Sequence, residues 1–181
     1  MVNERVYNQK ISKLRSSERV KLIEVERVVR LSLEKIDSAN VLDVGTGSGL
    51  FAEAFEKYGL KVAGIDISEE MIQAVKEFVE KGEFLTAPVE KIPYPDNSFD
   101  LVFLGHVLHE ADDQQKALQE AVRVAKQRVA ILEWPYIKEE SGPPLEHRIS
   151  PEKISELAQK IVIKNIETLK LDHMVLIRID V

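Results

Sequence analysis

The chain has 181 residues, a length that suits one domain with a sizeable hydrophobic core. Its net charge of −6 gives no overall basic footprint for nucleic acid, and the absence of cysteine excludes a disulfide scaffold, a thiolate metal site and a cysteine nucleophile. No apolar run reaches the roughly 18 residues of a membrane span and no signal-peptide core opens the chain, so we expect a cytoplasmic protein.

The first half of the chain predicts alternating helices and strands. Apolar residues spaced three and four apart predict helix over about residues 8–37. A second apolar stripe predicts a helix with Phe51 and Tyr58 facing inward. Ser68 is placed to cap a third helix, whose inner face includes Phe78. The predicted strands are 41–44, 62–66 and 83–87.

The second half continues the alternation and ends in two strands. Asp112 and Asp113 can cap one helix, and Ser150 followed by Pro151 is typical of the start of another. The short connection at 172–173 predicts an antiparallel hairpin. The predicted strands are 100–104, 128–133, 163–171 and 174–179.

This order of elements predicts an α/β fold with a Rossmann-like, doubly wound and mostly parallel sheet of seven strands, the last two forming an antiparallel hairpin. We interpret residues 1–181 as one domain. Residues 1–37 form a helical cover in this interpretation, and the long, proline-containing stretch 134–150 is a candidate substrate loop.

The segment VLDVGTGSGL at 41–50 carries the clearest chemistry. A buried strand containing Asp43 leads into a turn with glycine at 45, 47 and 49, and the next strand ends at Asp66. Alternate glycines let a ligand approach main-chain N–H groups, and a carboxylate at the end of the second strand can bind two ribose hydroxyls. The pattern predicts a nucleoside site.

Two nucleoside ligands compete for this motif. The dinucleotide fingerprint is G-x-G-x-x-G, whereas this chain has G-x-G-x-G with Leu50 in the sixth position, and Asp43 favours a cation over a pyrophosphate. The chain therefore resembles the class I S-adenosyl-L-methionine (SAM)-dependent methyltransferases. The resemblance continues at 87–110, where EKIPYPDNSFDLV is similar to a motif of the ubiquinone/menaquinone-biosynthesis-like branch, methyltransferase type 11, and it extends over about residues 40–135.

The resemblance implies a donor site along the carboxyl ends of the strands. Asp43 would hold the methionine amine, Asp66 the ribose, and Glu90 the adenine edge. Pro88 departs from the family pattern, because proline offers neither a carboxylate nor an N–H for adenine. The implied donor-binding residues are Asp43, Gly45, Thr46, Gly47, Gly49, Asp66, Ile67, Met71, Val89, Glu90, Leu104 and Gly105.

Candidate acceptor-side groups lie in the least regular segments. His106, just past the fourth predicted strand, is the candidate general base, and its alternative is a hydrogen-bonded rim residue. His109 and Glu110 can instead start or cap structure, and Arg148 can pair within its own loop. A metal held by these histidines lacks an evident third ligand, so no metal is predicted. The candidate substrate residues are Tyr7, His109, Tyr136, His147 and Arg148; Glu110 and Glu133 are further acceptor-side candidates.

The resemblance implies methyl transfer from SAM to an O, N or C nucleophile of a small molecule, with S-adenosyl-L-homocysteine as product. A SAM-binding regulatory protein without turnover is one alternative, and a dinucleotide-binding module is another. Nucleic-acid methylation is less favoured, since the residues after the fourth strand are LGHV rather than an Asn/Asp-Pro-Pro-aromatic motif. The acceptor and the oligomeric state are not indicated by the sequence.

Overall fold

The computed structural model describes residues 11–139, 142–161 and 163–181, in which helices pack on both faces of a seven-stranded sheet. The strands are β1 (Asn40–Val44), β2 (Lys61–Asp66), β3 (Glu83–Thr86), β4 (Phe99–Gly105), β5 (Ala125–Glu133), β6 (Asn165–Lys170) and β7 (Val175–Asp180). The helices are α1 (Ile11–Leu14), α2 (Ser17–Leu22), α3 (Val25–Leu33), α4 (Leu50–Lys57), α5 (Glu69–Val75), α6 (Gln114–Val124) and α7 (Pro151–Ala158).

The sheet has the order β3-β2-β1-β4-β5-β7-β6. The first five strands pair in parallel, and β7 lies antiparallel between β5 and β6. This arrangement confirms the predicted doubly wound sheet and its C-terminal hairpin. Because the five parallel strands run the same way, their carboxyl ends meet along one edge, where ligands bind in open α/β sheets.

The two faces of the sheet have separate apolar cores. Neighbouring residues of a strand point to opposite faces, so Val41 packs with α3, α4 and α5 while Leu42 packs with α6 and α7. Both side chains are completely buried. Strands covered on both faces need near-continuous apolar sequence, which the central strands have.

The predicted helix over 8–37 is wrong as a continuous element. Ser16 caps α2 with its hydroxyl, and Glu24 adopts a left-handed conformation (φ 51°) before α3, so the chain turns twice and forms three helices. Tyr58 and Phe78 are also more exposed than predicted, at 48% and 37%. Phe78 lies beyond the end of α5, and the guanidinium of Arg15 stacks 3.7 Å above its ring.

Candidate functional site

A cavity of about 1070 Å³ lies at the carboxyl edge of the parallel strands. Single-ligand pockets occupy about 300–1,000 Å³, so this cavity is large enough for a nucleoside and a second small molecule together. Parts of the glycine turn, the end of β2, the segment 87–90, the end of β4 and the stretch 134–150 line it. The lining ranges are 45–48, 50–51, 65–68, 70–71, 87–90, 105–107, 109–112, 134, 142–144 and 147, together with residues of 13–23.

The glycine turn between β1 and α4 presents backbone to the cavity. The N–H of Thr46 donates to the carbonyl of Ile65 (2.9 Å), which holds the turn against β2. Gly47 has φ 52°, and a Cβ at this position would meet no side chain within 4 Å, so it would project into open space. The turn therefore leaves room for a ligand to approach its main chain closely.

Asp43 lies behind this turn and does not line the cavity. Its carboxylate is 2% exposed and accepts a hydrogen bond from the hydroxyl of Thr46 (2.8 Å). Burial raises the pKa of Asp43 to about 7. Thr46 does line the cavity, and the predicted contact of Asp43 with a ligand's amine stays a prediction.

Asp66, the last residue of β2, lines the cavity with its carboxylate held by backbone. One oxygen accepts the N–H of Gly47 (2.8 Å) and the other accepts the N–H of Ser68 (2.9 Å). Burial raises the pKa of this carboxyl, and the two N–H donors oppose that shift. Ile67 and Met71 line the adjoining wall, and Ile67 is 63% exposed, an apolar side chain open to a planar ligand.

The segment 87–90 joins the same wall. Glu90 does not stand free, because its Oε1 accepts the N–H groups of Asp112 (2.9 Å) and Asp113 (3.4 Å). These bonds tie the segment to the start of α6. Pro88 has no backbone N–H, but its presence removes no hydrogen bond to β2 here. That bond is donated by the N–H of Ala87 to the carbonyl of Asp66 (3.0 Å).

The end of β4 contributes Gly105 and then His106. Gly105 lines the cavity, whereas the side chain of Leu104 is completely buried in the core, so the predicted position of Leu104 near the donor stays a prediction. Gly49, also predicted to bind the donor, caps α4 behind the turn and is not among the lining residues. The side chains of a strand alternate between the two faces of the sheet, and that of Leu104 points into the apolar core shared with α6 and α7.

His106 is held in an unusual conformation at the cavity wall. Its φ is 60°, and its N–H donates to the carbonyl of Leu132 (2.9 Å). Both ring nitrogens are buried and have no hydrogen-bond partner within the described part of the chain. Burial, with smaller contributions from Arg19 and His109, holds the pKa of His106 well below 6.5, so the imidazole is neutral. Its ring centroid lies 5.4 Å from that of Trp134.

His109 lines the same wall but is fully engaged at one end. Glu133, the last residue of β5 and 2% exposed, accepts from Nδ1 of His109 (2.7 Å) and from its backbone N–H (3.2 Å). Burial lowers the pKa of His109, but the charge and hydrogen bond of Glu133 outweigh that effect and raise it overall. The other ring nitrogen, Nε2, lies 3.9 Å from a carboxylate oxygen of Glu110, beyond hydrogen-bond distance.

The loop after β5 folds over Trp134. Gly142 lies so close to the indole that a Cβ there would be 2.6 Å from a ring carbon, and it adopts φ 85°. His147 follows in the same loop and lines the cavity, as do Pro143 and Pro144. The predicted substrate loop thus does form part of the cavity wall.

Arg148 and Tyr136 do not reach the cavity. The guanidinium of Arg148 donates to the carbonyl oxygens of Pro135, Ile137 and Pro143, each at 2.9 Å. The predicted contact of Arg148 with an anionic acceptor is wrong, because these carbonyls hold the group inside its own loop. Tyr136 is 47% exposed and lies outside the lining residues, so its predicted substrate role is unsupported.

Tyr7, the remaining candidate substrate residue, lies outside the described residues.

The predicted N-terminal cover supplies one wall of the cavity through α1 and α2, but the sequence did not indicate which of its residues line that wall. Arg19 and neighbouring residues of these short helices line the cavity. Arg15 fixes the cover to the glycine turn, since it donates to the carbonyl of Ser48 (2.9 Å) and forms an ion pair with Glu53.

The described part of the chain contains no group of three or more His, Asp or Glu side chains arranged to hold a metal ion. None of its helices combines the length and apolar character needed to cross a bilayer.

Sequence comparison matches residues 42–132 to the model of a methyltransferase domain. The demethylmenaquinone methyltransferase of Thermotoga maritima is 32% identical over 112 residues, covering 60% of this chain and 48% of that protein. An uncharacterized methyltransferase of Bacillus subtilis, YcgJ, is 37% identical over 92 residues, covering 48% and 36%. The chain spans less than half the length of either relative.

Structure comparison extends the likeness beyond the matched segment. A SAM-dependent methyltransferase from Aquifex aeolicus superposes with a TM-score of 0.82 at 28% identity, over 94% of this chain and 96% of that one. The YcgJ protein superposes with a TM-score of 0.67 at 23% identity, covering 81% of this chain and 70% of that one, a likeness of fold.

Proposed function

The chain belongs to the methyltransferase domain family, and from that premise we propose that its cavity binds SAM and catalyses methyl transfer to an oxygen, nitrogen or carbon nucleophile of a small molecule. The observation that carries the proposal is the Asp66 carboxylate, which two backbone N–H groups hold on the cavity wall beside the glycine turn. A carboxylate so placed can accept both ribose hydroxyls of a nucleoside.

The remaining residues fit this ligand chemically. Ile67 and Met71 offer apolar surface for an adenine, and the open side of Gly47 leaves room for the methionine and ribose. A sulfonium is a cation, and it is compatible with the neutral His106 and the nearby aromatic ring of Trp134. A protonated imidazole at that position would repel it.

In the proposed mechanism the protein forms no covalent bond with the donor or the acceptor. When bound, SAM supplies a methyl group already activated by a positive sulfur. The chain aligns the acceptor with that methyl group and excludes water, tasks for which the wall of α1, α2 and the Trp134 loop is placed. His106, with an unengaged neutral imidazole, is the group suited to take a proton from an acceptor that arrives protonated.

A small acceptor is supported by the size of the cavity and by a relative named for demethylmenaquinone. The net charge of −6 argues against a nucleic-acid acceptor, which binds chiefly through phosphate contacts with basic residues.

Calorimetric titration with SAM, S-adenosyl-L-homocysteine and NAD tests the proposal, with Asp66→Asn as the diagnostic variant. We expect the first two ligands to bind and NAD not to bind. Losing the carboxylate's charge at two hydrogen bonds costs about 2 kcal/mol, so the variant should bind about 30-fold more weakly.

Asn is preferred to Ala here, because its amide oxygen can still accept one of the N–H groups of Gly47 and Ser68, whereas Ala would leave both without an acceptor and would confound binding more strongly with stability. Asp37→Asn, at an exposed carboxylate, is the matched control and should bind like the parent protein. Tight NAD binding, or equal affinity of the Asp66 variant and the control, would refute the assignment.

A further inference from the structure

The cavity wall holds two histidines in contrasting environments. His106 has two buried ring nitrogens without partners, while His109 is clamped at Nδ1 by the buried carboxylate of Glu133. Both residues line the cavity. Neighbouring titratable groups whose pKa values are shifted in opposite directions can divide the roles of proton acceptor and hydrogen-bond donor between them.

The charged neighbours of each ring set this contrast. His106 faces Arg19 from α2 and His109 from the following turn, and both disfavour a second positive charge. His109 faces Glu133 from β5 and Glu110 from its own turn, which favour the imidazolium, and Arg148 from the loop above, which opposes it. Glu133 also accepts the backbone N–H of His109, so the ring and its chain are fixed together.

When Nδ1 donates to Glu133, it is the imidazolium form of His109, which Glu133 favours, that keeps Nε2–H as a donor for a ligand. Nε2 lies beyond hydrogen-bond distance of Glu110. We propose that His109, positioned by Glu133, donates this hydrogen bond to the acceptor's oxygen while His106 takes the proton of that same oxygen, so that the acceptor is a hydroxyl or enol compound rather than an amine. This inference rests on the proposed function.

The choice of oxygen follows from counting lone pairs. A hydroxyl oxygen has two lone pairs and one proton, so it can attack with one lone pair, accept from His109 with the other and give its proton to His106. A neutral amine has a single lone pair, which must point at the methyl carbon, and it cannot accept from His109 at the same moment. An enol that reacts through carbon places its oxygen between the two imidazoles in the same way.

The transfer balances with these groups alone. The O–H proton moves to a ring nitrogen of His106, a new bond forms between the acceptor and the methyl carbon, and the carbon–sulfur bond breaks with its electron pair passing to sulfur. The products are the methylated acceptor, neutral S-adenosyl-L-homocysteine and a protonated His106, which returns its proton to solvent. His109 in its imidazolium form stabilises the developing oxyanion through Nε2–H.

The chain has only four histidines, which makes the protonation states directly measurable by NMR of the imidazole nitrogens. The titration uses the full chain, free and saturated with S-adenosyl-L-homocysteine, with His173→Gln as a control at an exposed turn. We expect His109 to remain charged to a higher pH than His106, and Glu133→Gln to lower the midpoint of His109 by about one pH unit or more. An unchanged midpoint would overturn the role of Glu133.

Acceptor class is tested with two probes of the same shape, 4-nitrophenol and 4-nitroaniline, bound to the protein saturated with S-adenosyl-L-homocysteine. We expect 4-nitrophenol to bind with a lowered ionisation midpoint, visible as phenolate absorbance, and to lose about tenfold or more in affinity in His109→Gln and Glu133→Gln. The affinity for 4-nitroaniline should be weaker and insensitive to both variants. His109→Gln serves where Glu133→Gln fails to fold.

The outcomes separate this inference from the proposed function. Failure of S-adenosyl-L-homocysteine to bind in calorimetry refutes the proposed function, whereas its binding without the histidine contrast refutes the inference alone. Three other outcomes would overturn the assignment of an oxygen acceptor. The two probes could bind equally well, 4-nitrophenol could fail to bind, or the variants could weaken the binding of both probes to the same extent.

Discussion

Replacing Asp43 by Asn should change how the stability of this protein depends on pH. Asp43 is buried beneath the glycine turn, and its pKa is raised by burial from 3.8 to about 7. Asn keeps the shape of the side chain and can still accept the hydroxyl of Thr46, but it cannot ionise. The variant therefore isolates the cost of carrying a charge at this position.

The sign of the effect follows from the two states of the chain. Between pH 3.8 and 7 the unfolded chain has lost the Asp43 proton while the folded protein retains it, so stability falls as pH rises, by about 1.4 kcal/mol per unit. The fall levels off above pH 7, where both states are ionised. From pH 5 to pH 8 the parent protein should lose about 2.5 kcal/mol that Asp43→Asn does not lose.

Urea unfolding at pH 5, 6, 7 and 8 measures this difference. The free energy of unfolding of Asp43→Asn minus that of the parent should increase with pH up to about 7 and then flatten. Asp37→Asn removes an exposed carboxylate and controls for the general loss of a negative charge. A difference that stays constant from pH 5 to pH 8 would refute the reasoning that burial keeps Asp43 protonated.

Two further predictions concern the frame of the cavity. Gly49→Ala should lower the free energy of unfolding by about 3 kcal/mol in urea titrations, because φ is 77° and the new Cβ would lie 2.3 Å from a side-chain carbon of Val75. Gly59 has a similar φ of 88° but open space around it, so Gly59→Ala should lower the free energy of unfolding by only about 1 kcal/mol. Equal losses in the two variants would contradict the packing argument. Arg15→Gln removes the ion pair with Glu53, so it should speed hydrogen exchange of the α1–α2 amides by about fivefold, equivalent to about 1 kcal/mol. The control Lys21→Gln should leave the exchange rates unchanged. Protection retained in Arg15→Gln would show that other contacts hold the cover.

The fold was largely predictable because its signals are local and repeated. Strands buried on both faces require long apolar runs, and the helices between them begin at recognisable caps such as Ser68, Asp113 and Ser150. The N-terminal region was the exception. Its apolar spacing is helical throughout, but the left-handed turn at Glu24 depends on packing that spacing does not encode.

The donor side of the site was predictable for a related reason. The glycine turn and Asp66 are fixed to the ends of adjacent parallel strands, so the sheet brings them together wherever those strands form. The acceptor side differs, because the direction of each side chain there depends on loop geometry. Arg148 has the chemistry of an anion ligand, yet three backbone carbonyls of its own loop hold its guanidinium.

The sequence by itself determined the α/β fold, the family and the edge of the sheet where a nucleoside can bind, because strand periodicity and the glycine–aspartate spacing are properties of neighbouring residues. Only the tertiary structure decided the protonation of the two histidines. His106 and His109 are three residues apart in one segment, but one is buried without a partner and the other meets Glu133, 24 residues away along the chain. Burial and pairing set those charges, and both exist only once the chain has folded.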